Sequence, residues 1–191
     1  MARWLHIYLS MFGFATILFF AVTGITLNHP DWFGLEEPVV DVIRGELPVE
    51  WFSASADSDE LIDRLAIAET LRSRHALQGA VSEFRVDDFD CSVGFKGPAY
   101  AADALIDRET GRYELSISRH GAIALVNDLH KGRDSGPAWS VLIDVSALLM
   151  ALSSITGVVL LLYIRRKRWP GLITAAAGTA AIVAVFVWLV P

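Results

Sequence analysis

Five histidines, His6, His29, His75, His120 and His130, carry most of the chemistry open to this 191-residue chain. His75 falls near the end of an expected soluble helix, where a cation suits the helix dipole, and reads as structural. His120 lies beside Gly121, after the last expected strand, and reads as an ordinary surface residue. The other three border long apolar runs. His6 opens the first run and His29 closes it. His130 stands shortly before the second, in Leu129-His130-Lys131-Gly132. At ~1.5 Å rise per residue, His6 and His29 are ~34 Å apart along one helix and cannot share a ligand. His29 and His130 face the same side of a membrane and can.

Two imidazoles on adjacent helices suit a six-coordinate b-type haem: each Nε2 binds the iron axially, and apolar helix surface holds the macrocycle. The plainer reading is that both are interfacial polar groups helping the chain leave the bilayer. A continuous helix from Arg165 back to His130 would run ~52 Å, against ~39 Å from Arg3 to His29. Gly132, Gly136 and Pro137 break that helix and let His130 fold back towards His29. The sequence permits the pair without requiring it. Asp144 is the one acid in or beside an apolar run. It reads either as a proton relay or anchor for Arg133 or Lys131, or as a polar bundle contact at the membrane edge.

The elements that must position these residues follow from composition. The chain is 53% apolar and 20% charged, with a mean hydropathy of +0.44. That is too apolar for an ordinary cytosolic domain and excludes disorder. One cysteine and seven prolines exclude disulfide-rich and collagen-like classes. A net charge of −6 argues against nucleic-acid binding. Residues 31–136 hold 21 of the 22 acids and 11 of the 16 bases, so an acidic middle stands between basic ends. Two environments are implied.

Three runs, Leu5 to Leu27, Val145 to Ile164 and Leu172 to Val190, each approach the ~20 apolar residues that cross a ~30 Å hydrocarbon layer. The first is too long for a signal peptide and lacks a small-residue cleavage site, so it reads as a permanent anchor. Arg165–Arg168 and Arg3 belong on the cytoplasmic side. Trp4, Trp139, Trp169 and Trp188 fit an aromatic belt. The expected organisation is a transmembrane helix over 1–28, a periplasmic domain over 29–136, helices over 137–164 and 170–191, and a basic cytoplasmic turn at 165–169. The N-terminus is cytoplasmic. Cys91 is then a lone thiol in an oxidising space, expected to be buried on a strand and inert.

The middle block reads as a small α+β domain. Asp57 and Glu60 resemble an N-cap pair. Leu61, Leu65, Ala68 and Leu71 recur at helical spacing, and Gly79 stops the helix. Ser82/Phe84/Val86, Cys91/Val93/Phe95, Ala102/Ala104/Ile106 and Tyr113/Leu115/Ile117 alternate, with Asp107-Arg108-Glu109-Thr110-Gly111 as a hairpin turn. One helix and about four antiparallel strands can bury one sheet face. Residues 31–56, rich in Pro and aromatics, read as an irregular segment near the membrane surface. Nothing here has nucleophile–base spacing, a phosphate loop or a metal motif, so hydrolase chemistry has no support.

Small residues line each run: Ser10, Gly13 and Gly24; Ala147, Ala151 and Ser154; Gly171, Ala175 and Thr179. They suit close helix packing within the chain, in a homo-oligomer or against another membrane subunit.

Three segments resemble the PepSY-associated transmembrane proteins of bacterial inner membranes. They are Trp4-Leu5-His6 leading to Thr23-Gly24-Ile25-Thr26-Leu27-Asn28-His29, Ala104 to Tyr113, and Asp128-Leu129-His130-Lys131-Gly132-Arg133 leading to Ser153-Ser154-Ile155-Thr156-Gly157. The resemblance implies membrane helices carrying a periplasmic PepSY-like domain; the three spans read above depart from the larger members, which have four or more. It also implies a redox role, since larger members look like inner-membrane reductases that pass electrons through b-type haems, some to ferric siderophores. Short relatives accompany flavinylated periplasmic proteins, which would put a flavin on a partner. Carried over, the haem ligands are His29 and His130, with His6 a candidate for a second site. No histidine stands at the inner end of the second or third run, so His6 would need a partner chain. The alternative is a non-catalytic membrane-anchored PepSY module that binds, inhibits or helps assemble a partner protein.

Overall fold

The computed structural model describes residues 2–33, 37–52 and 62–191. The chain divides into two compact units, Met1–Phe19 with Leu142–Pro191, and Phe20–Val141.

The first unit is helical. It contains α1 (Ala2–Phe12), the start of α2 (Phe14–Asn28), most of α5 (Gly136–Tyr163) and all of α6 (Arg168–Leu189). α5 and α6 are long and apolar enough to cross a membrane, and α1 with α2 qualifies only as a bent pair. The expected continuous first run is therefore corrected: it bends by 55° at Gly13. The bend has a local cause. The Gly13 carbonyl accepts both the Ile17 N–H at 2.9 Å and the Thr16 hydroxyl at 2.9 Å. A hydroxyl competing for a helix carbonyl beside glycine tilts the turn. α1 meets α5 through His6 and Thr156, and Gly13 lies against Leu149. α5 begins nine residues before the apolar run does, because Gly136-Pro137 suits a helix start.

The second unit holds an antiparallel sheet. Its strands are β1 (Val39–Glu46), β2 (Ala80–Val86), β3 (Asp90–Gly97), β4 (Tyr100–Asp107) and β5 (Arg112–Arg119), in the order β1-β5-β4-β3-β2. The four alternating segments of the sequence are β2 to β5. Their inward residues Cys91, Val93, Phe95, Ala102, Ala104, Ile106, Tyr113, Leu115 and Ile117 are buried. Ile67, Ala68 and Leu71 of α3 (Arg64–His75) join the same cluster.

Three sequence expectations change here. A fifth strand, β1, lies within the segment expected to be irregular, and pairs with β5 from Val39↔Arg119 to Glu46↔Arg112. Pro38 and Pro48 flank the strand and leave its ladder intact. Phe52 of that segment is buried in the core and Trp51 packs on it. Asp57, Glu60 and Leu61 lie outside the described residues, and α3 is capped by Asp63, whose carboxylate accepts the Ala66 N–H at 2.9 Å. Leu65 points outward at 73% exposure, and Ile67 takes the inward place. The helix ends at Ala76 in the left-handed region (φ 50°), three residues before Gly79.

Gly45 lets β1 cross Tyr113, since a Cβ there would strike the phenol oxygen. That oxygen is hydrogen-bonded at 2.8 Å to His75 Nε2. Desolvation, followed by the nearby Arg74 guanidinium, lowers the His75 pKa below its ordinary 6.5. Burial thus disfavours the expected dipole-stabilised cation. The sign follows: between the folded and unfolded pKa values the unfolded chain binds more protons. His75 therefore contributes stability above pH 6.5 that is lost as pH falls through its folded pKa. Thermal melts of wild type and His75→Gln should diverge above pH 6.5 and converge in acid; parallel curves would refute the linkage.

Candidate functional site

The second unit builds a seat for His130 from four successive residues of α4 (Ala122–Lys131). The Asn127 side-chain carbonyl accepts the Thr26 hydroxyl at 2.6 Å. The Asp128 carboxylate accepts the Ala99 N–H at 2.9 Å, in the turn between β3 and β4. The Leu129 carbonyl accepts the Trp139 indole N–H at 2.8 Å. His130 Nδ1 lies 2.6 Å from Thr23 Oγ1 on α2. Gly132 then ends α4 in the left-handed region (φ 68°), with its N–H on the Asp128 and Leu129 carbonyls. Arg133 turns back to Asp128 at 3.6 Å.

His130 is half-buried against α2. The Phe20 ring meets it edge-on at 5.1 Å between centroids. Gly24 clears the space beside Cε1: a Cβ there would stand 3.7 Å away. With Nδ1 taken by Thr23, Nε2 is the nitrogen left for a ligand.

His29 follows the last turn of α2, its N–H still on the Ile25 carbonyl at 3.0 Å. Its ring stacks on Trp32 at 3.7 Å and 6°. Its Nε2 lies 3.1 Å from Asn28 Nδ2 in an exposed contact. No hydrogen bond or ring contact joins His29 to His130. His29 follows Thr23 by six residues, ~9 Å of helix rise.

In the first unit, His6 is half-buried with Nδ1 3.0 Å from Thr156 Oγ1 on α5. A Cβ on Gly157 would lie 3.4 Å from its Cε1. Asp144 is on an exposed face of α5, and no ion pair holds it among the described residues. His120 is exposed, its backbone N–H on the Ala99 carbonyl. Among the described residues no group of three His, Cys, Asp or Glu side chains could hold a metal ion. A group held by one or two imidazoles would ask each ring for one anchored nitrogen and one free nitrogen. His130 fits that demand, with Nδ1 anchored on Thr23 and Nε2 open. His29 fits it on releasing one exposed amide.

Sequence reasoning found the three histidines but missed Thr23, Thr156, Asn127 and Asp128, which position them. A signal was present: Thr-Gly occurs in both of the first two apolar runs.

Apolar helices that interrupt themselves for a five-stranded α+β domain, with imidazoles docked on the helices, define a membrane protein with a PepSY-type insert. The chain belongs to the PepSY_TM-like family, whose model matches residues 1–191. No curated protein and no solved structure matches it.

Proposed function

We propose that the protein is a redox subunit of the bacterial inner membrane, in which His29 and His130 would hold a b-type haem on the periplasmic side. In this reading the N-terminus is cytoplasmic and the sheet domain periplasmic. Electrons pass to a periplasmic protein or an iron–siderophore acceptor, and a flavin resides on the partner. The observation that supports it most is the posture of His130: Nδ1 on Thr23, Nε2 open, apolar contact from Phe20. Haem supplies a one-electron couple when bound. The chain's own residues do the rest. Thr23 fixes the imidazole's rotation, Asn127 and Trp139 fix the helix that carries it, and Phe20 keeps water from one face.

The test is a dithionite-reduced minus oxidised spectrum of the detergent-purified protein from haem-replete cells. A sharp α-band supports the reading. A colourless, folded preparation refutes it and leaves the membrane-anchored binding module. The stacked, self-satisfied His29 is the observation that favours that second reading.

A further inference from the structure

We infer that Thr23-Gly24 and Thr156-Gly157 are two copies of one histidine dock, and that Thr156 is a positioning residue holding His6 as the Nδ1–H tautomer with its Nε2 lone pair bare. The surrounding residues agree in kind: Val22-Thr23-Gly24-Ile25 and Ile155-Thr156-Gly157-Val158. In each, a threonine hydroxyl meets Nδ1 of an imidazole from a remote segment, at 2.6 Å for His130 and 3.0 Å for His6. In each, the adjacent glycine faces the Cε1 of that same ring, where a Cβ would stand 3.7 and 3.4 Å away. A single His–Thr bond is ordinary. The same dipeptide meeting the same two ring atoms in both units is a repeated device.

Proton counting sets the tautomer at His6. A hydroxyl has one proton to give. Thr156 gives its own to the Ser153 carbonyl at 3.0 Å. Towards His6 it accepts, so Nδ1 carries the hydrogen, and in the neutral ring Nε2 is the nitrogen without one. That is the form in which a histidine offers its distal nitrogen as an electron-pair donor, its other nitrogen fixed by a neighbour. The use of that lone pair rests on the redox reading above; the tautomer itself does not.

The test is ¹⁵N NMR of histidine-labelled, dithionite-reduced protein in detergent micelles. Wild type should show His6 protonated at Nδ1 and bare at Nε2. Thr156→Val should move that proton to Nε2, and Thr156→Ser should restore it. Thr23→Val should leave His6 unchanged. His6 protonated at Nε2 in wild type overturns the inference, as does a His6 spectrum indifferent to Thr156→Val. If the valine variant does not fold, the wild-type spectrum decides. A colourless preparation would end the haem reading while leaving this measurement intact.

Discussion

On the haem reading proposed above, His130→Ala is expected to abolish the reduced-minus-oxidised α-band, while His75→Ala and His120→Ala leave it at wild-type height. The contrast follows from position. His75 is satisfied by Tyr113 within the sheet domain, and His120 is exposed beyond β5. His130 combines an Nδ1 anchored on Thr23 with an edge-on Phe20 ring. His29→Ala should remove the band as well. Thr23→Val should keep the ligand but loosen it, with haem affinity falling ~10–100-fold, the usual cost of losing the partner that orients a ligating imidazole. Spectra at equal protein concentration with a haem extraction assay would measure both. Far-UV circular dichroism separates ligand loss from misfolding. A band that survives His130→Ala would refute the ligand assignment.

Gly111→Ala should strongly destabilise the sheet domain. Gly111 ends the β4–β5 turn at φ 70°, and a Cβ there would strike the Leu47 carbonyl. That backbone already receives the turn closely, with the Leu47 N–H on the Gly111 carbonyl at 2.8 Å. A left-handed non-glycine residue costs ~1–2 kcal/mol. Forced overlap adds ~1–3 kcal/mol. For a domain of this size, each kcal/mol lowers Tm by ~4–8 °C, so a fall of ~8–40 °C is expected. Gly178→Ala is the control, since a Cβ there meets nothing within 4 Å and alanine suits a helix. Equal melting of Gly111→Ala and wild type would refute the steric argument.

The sheet was legible where the period-2 pattern was clean. β3, β4 and β5 each bury alternate residues across from one another, and the alternation survives in the sequence. β1 was not legible, because as an edge strand it exposes Val40 and Val42 and so mixes apolar residues on both faces. The bend at Gly13 was hidden for a different reason. A kink in an apolar helix leaves hydropathy unchanged, and only Thr16 three residues on betrays it. Of the candidate site, the histidines were readable as types near run ends. Their partners were not, because Thr23 and Thr156 pair with residues 107 and 150 positions away. Hydrogen bonds that span such distances carry no local period. Asp144 illustrates the converse: its oddity was visible in the sequence, and it lies on an exposed face of α5.

The tethering of Asn127, Asp128, Leu129 and His130 has a mechanical consequence. Successive residues are fastened to α2, to the β3–β4 turn, to Trp139 and again to α2. A short rod pinned at both ends and in the middle cannot rotate independently of its mounts.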